Sequence, residues 1–298
     1  MASQPTHDRV AIVTGATSGI GVDIARSLLT RGYLVALTGR RAELGALVAT
    51  SLDPSGARAR FFACDVSSYA SQAALFRAVH AAWGRVDVLI ANAGITDKSS
   101  VYALTAEKGR GKSVEDVPAE PDLEATDVCY KGVVYGTMLA VHFMRFNEGA
   151  GVKGRIIVTG SVGAFHPHPV VPEYCGAKAA VVTFVRGVAP VLKEKDGVVI
   201  NVVHPGLVST PIIPEEMIRA VPEGCPTPME TVLKGFHVYL DDETGRTGEQ
   251  METSGTDIVY YERPAYANGI ATEGATTIWE PWFVMGHGEK SGLPGTYE

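Results

Sequence analysis

The chain has 298 residues, of which 46% are hydrophobic, and it carries a formal net charge of −7 at pH 7. A chain of this length can bury about three quarters of the surface that its unfolded form exposes, so one large core is available. The acidic balance argues against binding to a nucleic-acid backbone, which needs a basic stripe. No run approaches the roughly 18 apolar residues of a membrane span, so we predict no membrane partner.

The cysteine pattern and the first residues bear on location. The four cysteines, at positions 64, 129, 175 and 225, are widely spaced and include no C-x-x-C pair, which is typical of reduced thiols. Residues 1–10 lack the charged-then-apolar pattern of a signal segment, and we predict a cytoplasmic protein. No linker or repeat divides the chain, so we predict one domain over 1–298, with a core over about 9–260 and a C-terminal extension over 261–298.

Short β-branched runs alternate with longer segments of helical periodicity. Strands are predicted at residues 9–13, 33–38, 60–63, 86–90, 155–159, 198–203 and 249–253. Helices are predicted at 19–30, through 44–48, and at 72–83, 123–146 and 173–193. Because such alternation with continuously apolar strands indicates a parallel sheet covered on both faces, we predict an α/β fold with a doubly wound parallel sheet of about seven strands in three α/β/α layers.

Two stretches do not fit this alternation. Residues 95–121 form a polar connection that is longer than most loops in compact domains. The tail from residue 260 onwards carries Trp279, Trp282 and Phe283 among glycines and prolines, without a clear period. Aromatic residues suit either an oligomer contact or a lid, and both remain open for this segment.

Residues 14–21, T-G-A-T-S-G-I-G, form a glycine-rich turn between the first predicted strand and helix. Gly15 allows a tight turn, and Gly19 and Gly21 let the backbone and the helix N-terminus approach a pyrophosphate. Glycines also make ordinary turns, but this placement within a βαβ unit favours a dinucleotide site. The cofactor contacts predicted in this turn are Thr14, Gly15, Thr17, Ser18, Gly19, Ile20 and Gly21.

The end of the second predicted strand bears on which cofactor binds. A free ribose 2′-hydroxyl favours an Asp or Glu at this place, whereas this chain has Gly39-Arg40-Arg41. A guanidinium suits a 2′-phosphate, and no carboxylate stands at the strand end to repel it. Arginines at a helix start are also common on surfaces. We predict NADP(H), with Arg40 and Arg41 as contacts, rather than NAD(H).

A serine, a tyrosine and a lysine supply the candidate chemistry. Tyr174 and Lys178 lie four residues apart and so share a helix face, and Ser161 stands thirteen residues before the tyrosine. A phenol has a pKa near 10, and a neighbouring ammonium lowers it by about 1–3 units. Tyr174 can then give a proton to a carbonyl oxygen or accept one from an alcohol. Ser161 can hydrogen-bond the same oxygen.

The glycine-rich turn followed by this serine, tyrosine and lysine resembles the short-chain dehydrogenase/reductase family, over residues 9 to about 260. The resemblance implies a Rossmann-type sheet with Ser161, Tyr174 and Lys178 as the catalytic set. Three more segments match the family: C-D-V after the third strand, N-A-G after the fourth and P-G-x-V-x-T after the sixth. The cofactor contacts that these segments imply are Asp65, Val66, Asn92, Ala93, Gly94, Pro205, Gly206, Val208 and Thr210.

One residue departs from the family pattern. Members typically read N-x-x-G in the fourth helix, where the asparagine kinks the helix and holds a water linked to the lysine, whereas this chain reads Cys129-Tyr130-Lys131-Gly132. A thiol does not donate and accept as an amide does. Either a water or a backbone carbonyl substitutes and activity survives, or the fold has been repurposed for a non-redox reaction or for binding alone. No histidine pairing marks Cys129 as a nucleophile.

The substrate is predicted from weaker signals. Residues 211–236 resemble the family's mobile substrate-covering segment, and the apolar residues there, Phe236 among them, fit a hydrophobic substrate or ordinary packing. His166 and His168 border the substrate in this interpretation, and we predict no metal site. Local sequence resembles the members similar to 15-hydroxyprostaglandin dehydrogenase, often NAD-dependent. We predict an NADP(H)-dependent oxidoreductase interconverting a hydrophobic secondary alcohol and its ketone, acting as a homodimer or homotetramer.

Overall fold

The computed structural model describes residues 9–104, 111, 113–148, 151–277 and 279–293. They form one eight-stranded sheet in the order β3-β2-β1-β4-β5-β6-β7-β8. Every neighbouring pair is parallel except β7 and β8. The strands are β1 (Val10–Val13), β2 (Leu34–Gly39), β3 (Ala59–Ala63), β4 (Val88–Ala91), β5 (Gly154–Thr159), β6 (Val198–Pro205), β7 (Gln250–Ser254) and β8 (Asp257–Tyr260).

Helices cover both faces of the sheet, and the doubly wound α/β prediction is confirmed. Among the described residues, the α-helices are α1 (Ile20–Thr30), α2 (Ala42–Leu52), α3 (Tyr69–Trp83), α4 (Glu124–Thr126), α5 (Gly132–Met144), α6 (Pro172–Asp196), α7 (Glu215–Ala220), α8 (Met229–Leu240), α9 (Gly269–Thr277) and α10 (Glu280–His287). Buried residues of α3, α5 and α6 form one core cluster with the sheet. Those of α1, α2 and α8 form the cluster on the opposite face.

Three differences from the predicted elements have physical causes. The eighth strand, β8, is an antiparallel edge whose residues are mostly exposed, so it lacks the apolar run of a buried strand. The helix predicted at 123–146 contains a π-helical turn, Asp127–Lys131, between α4 and α5. Phe236 lies on α8 and is 1% exposed in the core, so it packs against the sheet rather than covering a substrate.

Among the described residues, α6 is the one helix whose length and composition would suffice to cross a bilayer. Its side chains Val181, Val185 and Ala189 belong to a core cluster against the sheet. A core helix can be equally long and apolar, and these contacts identify α6 as a core helix.

The C-terminal extension returns to the far end of α6. Glu289 forms an ion pair with Lys195 (2.6 Å), and the Lys195 ammonium lies 5.5 Å from the ring centre of Phe283. Lys195 stands 21 residues after Tyr174 on the same helix, which at 1.5 Å per residue is about 30 Å. Residues 278 and 294–298 of this extension, and residues 105–110 and 112 of the polar connection, lie outside the described part of the chain.

Candidate active site

The candidate site lies at the carboxyl ends of β1, β4, β5 and β6, where loops leave a doubly wound sheet and ligands usually bind. Ser161 follows β5 after one residue, and Tyr174 and Lys178 lie in the first two turns of α6. The structure therefore brings the three predicted catalytic residues to one edge of the sheet.

Lys178 is fixed at the end of β5. Its side chain is 2% exposed, and its ammonium donates to the carbonyl oxygen of Thr159 across 2.6 Å. The same nitrogen lies 5.6 Å from the ring centre of Tyr174. Because a lysine is rarely buried without a partner, this hydrogen bond accounts for its position. A positive charge is thus held beside the half-buried tyrosine.

Ser161 is positioned by a histidine that the sequence analysis did not single out. The Ser161 backbone N–H donates to Nδ1 of His204 (3.1 Å), and Nε2 of His204 pairs with Oε1 of Gln250 (2.9 Å). With the Gln250 oxygen accepting from Nε2–H, the neutral ring has Nδ1 as an acceptor for the Ser161 N–H, and the Ser161 carbonyl oxygen also lies 3.0 Å from Nδ1. Burial lowers the pKa of His204 to about 4, and the ring is therefore neutral near pH 7.

Gly160 allows His204 to approach. A β-carbon placed on Gly160 would collide with the His204 ring. The ring of Phe165 covers another side of His204, with ring centres 5.0 Å apart and planes at 70°. The hydroxyl of Ser161 accepts from the Gly163 N–H at 3.1 Å and begins a short 3₁₀ turn, Val162–Ala164. The serine is thus held from both its backbone and its side chain.

Cys129 lies in the π-helical turn and is fully buried. Its thiol donates to the carbonyl oxygen of Ile95 across 3.4 Å. A methyl group placed on Gly94 would lie 3.5 Å from the Cys129 sulfur and 3.7 Å from the Lys178 nitrogen. Cys129 and the Lys178 ammonium therefore both border Gly94, and the family resemblance implies the asparagine at the position of Cys129.

The glycine-rich turn is joined to the ends of β4 and β5. The Thr14 hydroxyl accepts from the N–H groups of Asn92 (2.9 Å) and Ala93 (3.0 Å). The Asn92 amide donates to the Thr14 carbonyl and accepts from the Thr159 hydroxyl, both at 3.0 Å. Three neighbouring strand ends are therefore tied together by Thr14 and Asn92.

The turn also has the shape that a dinucleotide needs. Gly15 has φ +66°, and a β-carbon there would lie 2.8 Å from the Ala93 Cα, so a side chain at this position is excluded. Helix α1 begins after Gly19 without a side-chain cap, which leaves its first N–H groups available to an anion. These features fit the pyrophosphate of a nicotinamide dinucleotide.

The two arginines after β2 differ in their contacts. Arg41 donates to the hydroxyls of Thr17 (3.1 Å) and Ser18 (3.5 Å) and so lies against the glycine-rich turn. Arg40 instead pairs with Glu124 of α4, and Lys98 pairs with the other oxygen of the same carboxylate. The strand end itself carries no carboxylate, as the sequence showed, but Glu124 reaches Arg40 from another element.

The remaining predicted contacts lie along the same edge. Asp65 accepts from the backbone N–H (3.0 Å) and hydroxyl (2.7 Å) of Ser67. Val66 is nearly buried, and its carbonyl accepts from Gln72 at 2.7 Å. The structure therefore holds these two residues in a fixed loop after β3.

The segment after β6 returns to the glycine-rich turn. Pro205 ends β6, and the Gly206 N–H donates to Thr253 on β7 (2.9 Å). A methyl group placed on Gly19 would lie 3.3 Å from the Thr210 side chain. Thr210 and the turn are therefore neighbours, with Val208 buried between the two ends of this segment.

His166 and His168 lie in the exposed loop between Ser161 and α6. The His168 backbone N–H donates to the sulfur of Cys175, at 3.2 Å. A border role toward the substrate stays a prediction for both histidines.

The chain is similar to known proteins along most of its length. Residues 9–218 match the family model of the short chain dehydrogenases. The chain is 52% identical to the short-chain dehydrogenase/reductase prx6 of Penicillium rubens over 297 residues, 97% of each chain. It is 34% identical to an NADP-dependent (R)-specific alcohol dehydrogenase of Lentilactobacillus kefiri over 261 residues, 83% of this chain and 95% of the relative. It is 32% identical to the NAD(+)-linked 15-hydroxyprostaglandin dehydrogenase of Mus musculus over 210 residues, 70% of each.

Proposed function

The chain belongs to the short-chain dehydrogenase/reductase family and is an alcohol dehydrogenase/ketone reductase of that family, and we propose that it interconverts a hydrophobic secondary alcohol and its ketone with NADP(H). The observation that carries this proposal is the Lys178 ammonium, bonded to Thr159 beside the Tyr174 ring at the strand ends next to the glycine-rich turn. Relatives named for NADP and for NAD have similar identities to this chain, so similarity alone does not decide between the two cofactors.

Tyr174 is the proposed general acid and base. A nicotinamide cofactor, when bound, would supply or take the hydride. A positive charge beside a phenol stabilises the negative charge that its oxygen carries while the proton is transferred. Tyr174 therefore gives a proton to the ketone oxygen in one direction and takes the alcohol proton in the other. A positioned acid or base of this kind contributes about 10²–10⁴-fold in rate.

Ser161 and Lys178 support this proton transfer in different ways. The Ser161 hydroxyl hydrogen-bonds the substrate oxygen and holds it within reach of Tyr174. Its backbone is fixed by His204, which stays neutral and so keeps the acceptor atom Nδ1 available. The hydrogen bond to the Thr159 carbonyl holds the Lys178 ammonium beside the tyrosine.

The preference for NADP(H) rests chiefly on Arg41. Its guanidinium already contacts two hydroxyls of the glycine-rich turn, where the adenosine end of a dinucleotide would lie. A planar guanidinium can bind a phosphate through two parallel hydrogen bonds. Arg40 can add to this charge after exchanging Glu124 for the phosphate, because an exposed ion pair is weak.

The proposed substrate is apolar because the segment that follows Thr210 presents Ile212, which is 40% exposed, with Ile213 and Met217 nearby in the chain.

A homodimer or homotetramer is proposed from the exposed Trp282 and Met285 on α10. The free cysteines fit a cytoplasmic location. A repurposed, non-redox fold is not favoured, because the Cys129 thiol is buried and bonded to a backbone carbonyl.

The proposal is tested by supplying NADPH or NADH with a panel of hydrophobic ketones and following both cofactor absorbance and alcohol formation. We expect one alcohol to form for each NADPH consumed, with slower turnover on NADH. The same panel run in reverse, with alcohols and NADP+, should return the ketone. Tight NADPH binding without hydride transfer to any ketone or from any alcohol would overturn the proposed reaction.

A further inference from the structure

The helix that carries Tyr174 receives its N-terminal cap from a distant part of the chain. Residue Val171, which precedes α6, provides no side-chain cap, and Pro172 follows it. The carboxylate of Asp97 fills this role: Oδ2 accepts from the Glu173 N–H (3.0 Å) and Oδ1 from the Tyr174 N–H (2.8 Å). Both oxygens of one side chain therefore bind the first turn of α6.

Asp97 joins two parts of the proposed active site. It stands three residues after Gly94, in the loop that follows β4, and Gly94 is a proposed cofactor contact. Hydrogen bonds to an ionised carboxylate are roughly twice as strong as neutral ones, and a negative charge is stabilised at a helix N-terminus. One side chain thus couples the cofactor loop to the backbone of Tyr174.

Glu173 extends this connection to α4 and the π-helical turn that contains Cys129. Its Oε1 accepts from the Thr126 N–H at 2.8 Å, and Thr126 directly precedes the π-helical turn that contains Cys129. Its other carboxylate oxygen is buried without a hydrogen-bond partner among the described residues. Asp97 and Glu173 therefore link the loop after β4, the start of α6 and the start of the π turn.

We propose that Asp97 is a positioning residue that sets the place of the Tyr174 phenol. The inference rests on the proposed function, because Asp97 acts through Tyr174, the proposed acid and base. The two backbone bonds hold the first turn of α6 in register with the loop after β4. Without them this turn can fray, and a misplacement of about 1 Å can cost on the order of a hundredfold in rate.

The experiment compares Asp97→Ala and Asp97→Asn with wild type. Asparagine keeps one acceptor oxygen but loses the charge, so its effect should be the smaller of the two. We expect kcat to fall by about tenfold or more in the alanine variant, while KM for NADPH changes by less than about threefold. Equal kcat in wild type and both variants would overturn the proposal.

Asp53→Ala is the matched control for losing a carboxylate that accepts backbone N–H groups away from the proposed site. The Asp53 carboxylate accepts three backbone N–H groups, from Ser55 (3.1 Å), Arg58 (2.6 Å) and Ala59 (3.1 Å), but in the loop before the edge strand β3. We expect its removal to affect unfolding in denaturant and to leave kcat unchanged. If Asp53→Ala lowers kcat as much as Asp97→Ala does, the effect is one of general stability and the proposal fails.

A double-mutant cycle with Tyr174→Phe separates the positioning role from the proposed function. If Asp97 acts through the phenol, Asp97→Ala should lower turnover in wild type but change the residual turnover of Tyr174→Phe by less than about threefold. An equal fold-loss in both backgrounds would overturn the positioning role. Full activity of Tyr174→Phe alone would instead refute the acid/base assignment, which is a separate and recognisable result.

Discussion

The Cys129 thiol donates to the carbonyl oxygen of Ile95 across 3.4 Å and borders Gly94, as the Lys178 ammonium also does. The helix still departs from α geometry there, with a π-helical turn over Asp127–Lys131. Such turns are frequent at functional sites because they reorient backbone groups. The family resemblance implies a helix irregularity at an asparagine, and in this chain a helix irregularity is present at Cys129. The Cys129 thiol bonds to the backbone carbonyl of Ile95.

Cys129→Asn should preserve or raise turnover. The asparagine amide can donate to Ile95 as the thiol does, and its second polar group can order a water toward Lys178. An amide group left unpaired in this buried place would cost about 1–3 kcal/mol, so unfolding in denaturant has to be measured together with kcat. Cys129→Ala is the control for removing the thiol alone. A loss of hydride transfer in the asparagine variant at unchanged stability would contradict this expectation.

The sheet is readable from the sequence because burial and residue type agree there. All eight residues of β6 are buried, and all but three are valine or isoleucine, so an apolar run identifies the strand. In β8 only Ile258 is partly buried, and the strand is defined by pairing with β7. A strand of that kind has no pattern of its own to detect.

The residues that position the site are harder to predict than the residues that form it. Ser161, Tyr174 and Lys178 follow a recognisable spacing, whereas Asp97 reaches α6 from 76 residues away. His204 stands directly after the strand predicted at 198–203 and belongs to no predicted motif. Both contacts depend on which loops lie side by side at the sheet edge, and that arrangement is a property of the folded chain.

Tyr174→Phe should lower turnover by about 10²–10⁴-fold, because the proton donor is removed while the ring and its packing remain. NADPH affinity, measured by calorimetry, should change little. Tyr135→Phe is a matched control, because Tyr135 lies on α5 instead of α6 and its ring centre is 5.5 Å from that of Tyr69. Wild-type turnover in Tyr174→Phe would refute the assignment.

Lys178→Ala should reduce both turnover and stability. The variant removes the charge beside Tyr174 and leaves the buried Thr159 carbonyl without its partner at 2.6 Å. An unsatisfied buried acceptor costs about 1–3 kcal/mol of unfolding free energy. Activity and denaturant unfolding should therefore change together, in contrast to Tyr174→Phe. An unaltered unfolding midpoint would show that the Thr159 contact contributes little.

NADPH should bind at least about tenfold more tightly than NADH, which corresponds to about 1.4 kcal/mol. Arg41→Ala should remove most of this difference, because Arg41 is the arginine that lies against the glycine-rich turn. Arg40→Asp should narrow or invert it by adding a repelling carboxylate. Equal affinities of the wild-type protein for the two cofactors, by calorimetry, would contradict the assignment.

Glu124→Gln should strengthen NADPH binding and leave NADH binding unchanged. Glu124 holds both Arg40 and Lys98, and a neutral amide would free two cations for the 2′-phosphate. Because the pairs are partly exposed, we expect an effect of severalfold at low salt that shrinks as salt rises. Weaker NADPH binding in this variant would mean that Glu124 positions Arg40 for the phosphate instead of competing for it.

Removal of residues 263–298 should leave KM for the ketone unchanged and lower the number of subunits in the assembly. Phe283 and Glu289 of the tail contact Lys195, about 30 Å along α6 from Tyr174, whereas Tyr261, which the shortened chain keeps, stacks on Phe165. This placement favours the oligomer-contact interpretation over the lid. Sedimentation and steady-state kinetics on the shortened chain distinguish the two interpretations. A KM for the ketone raised about tenfold with an unchanged number of subunits would support the lid interpretation instead.

Stability should fall as the pH drops from about 6.5 to about 4, in part because of His204. Its native pKa is lowered to about 4 by burial, whereas the unfolded chain takes up the proton near 6.5. Between these values the unfolded state binds more protons, so the free energy of unfolding decreases as pH falls, and the loss is complete below about 4. The gap corresponds to about 3 kcal/mol.

His204→Asn should flatten this part of the profile, since asparagine can accept from the Ser161 N–H without titrating. His237, whose pKa is also lowered by burial, contributes in the same direction in both proteins, so the difference between wild type and variant isolates His204. His166→Asn, at an exposed position, is the control for the substitution itself. Denaturant unfolding from pH 4 to pH 8 measures the effect. Parallel profiles for wild type and His204→Asn would show that the buried imidazole is not the group that titrates.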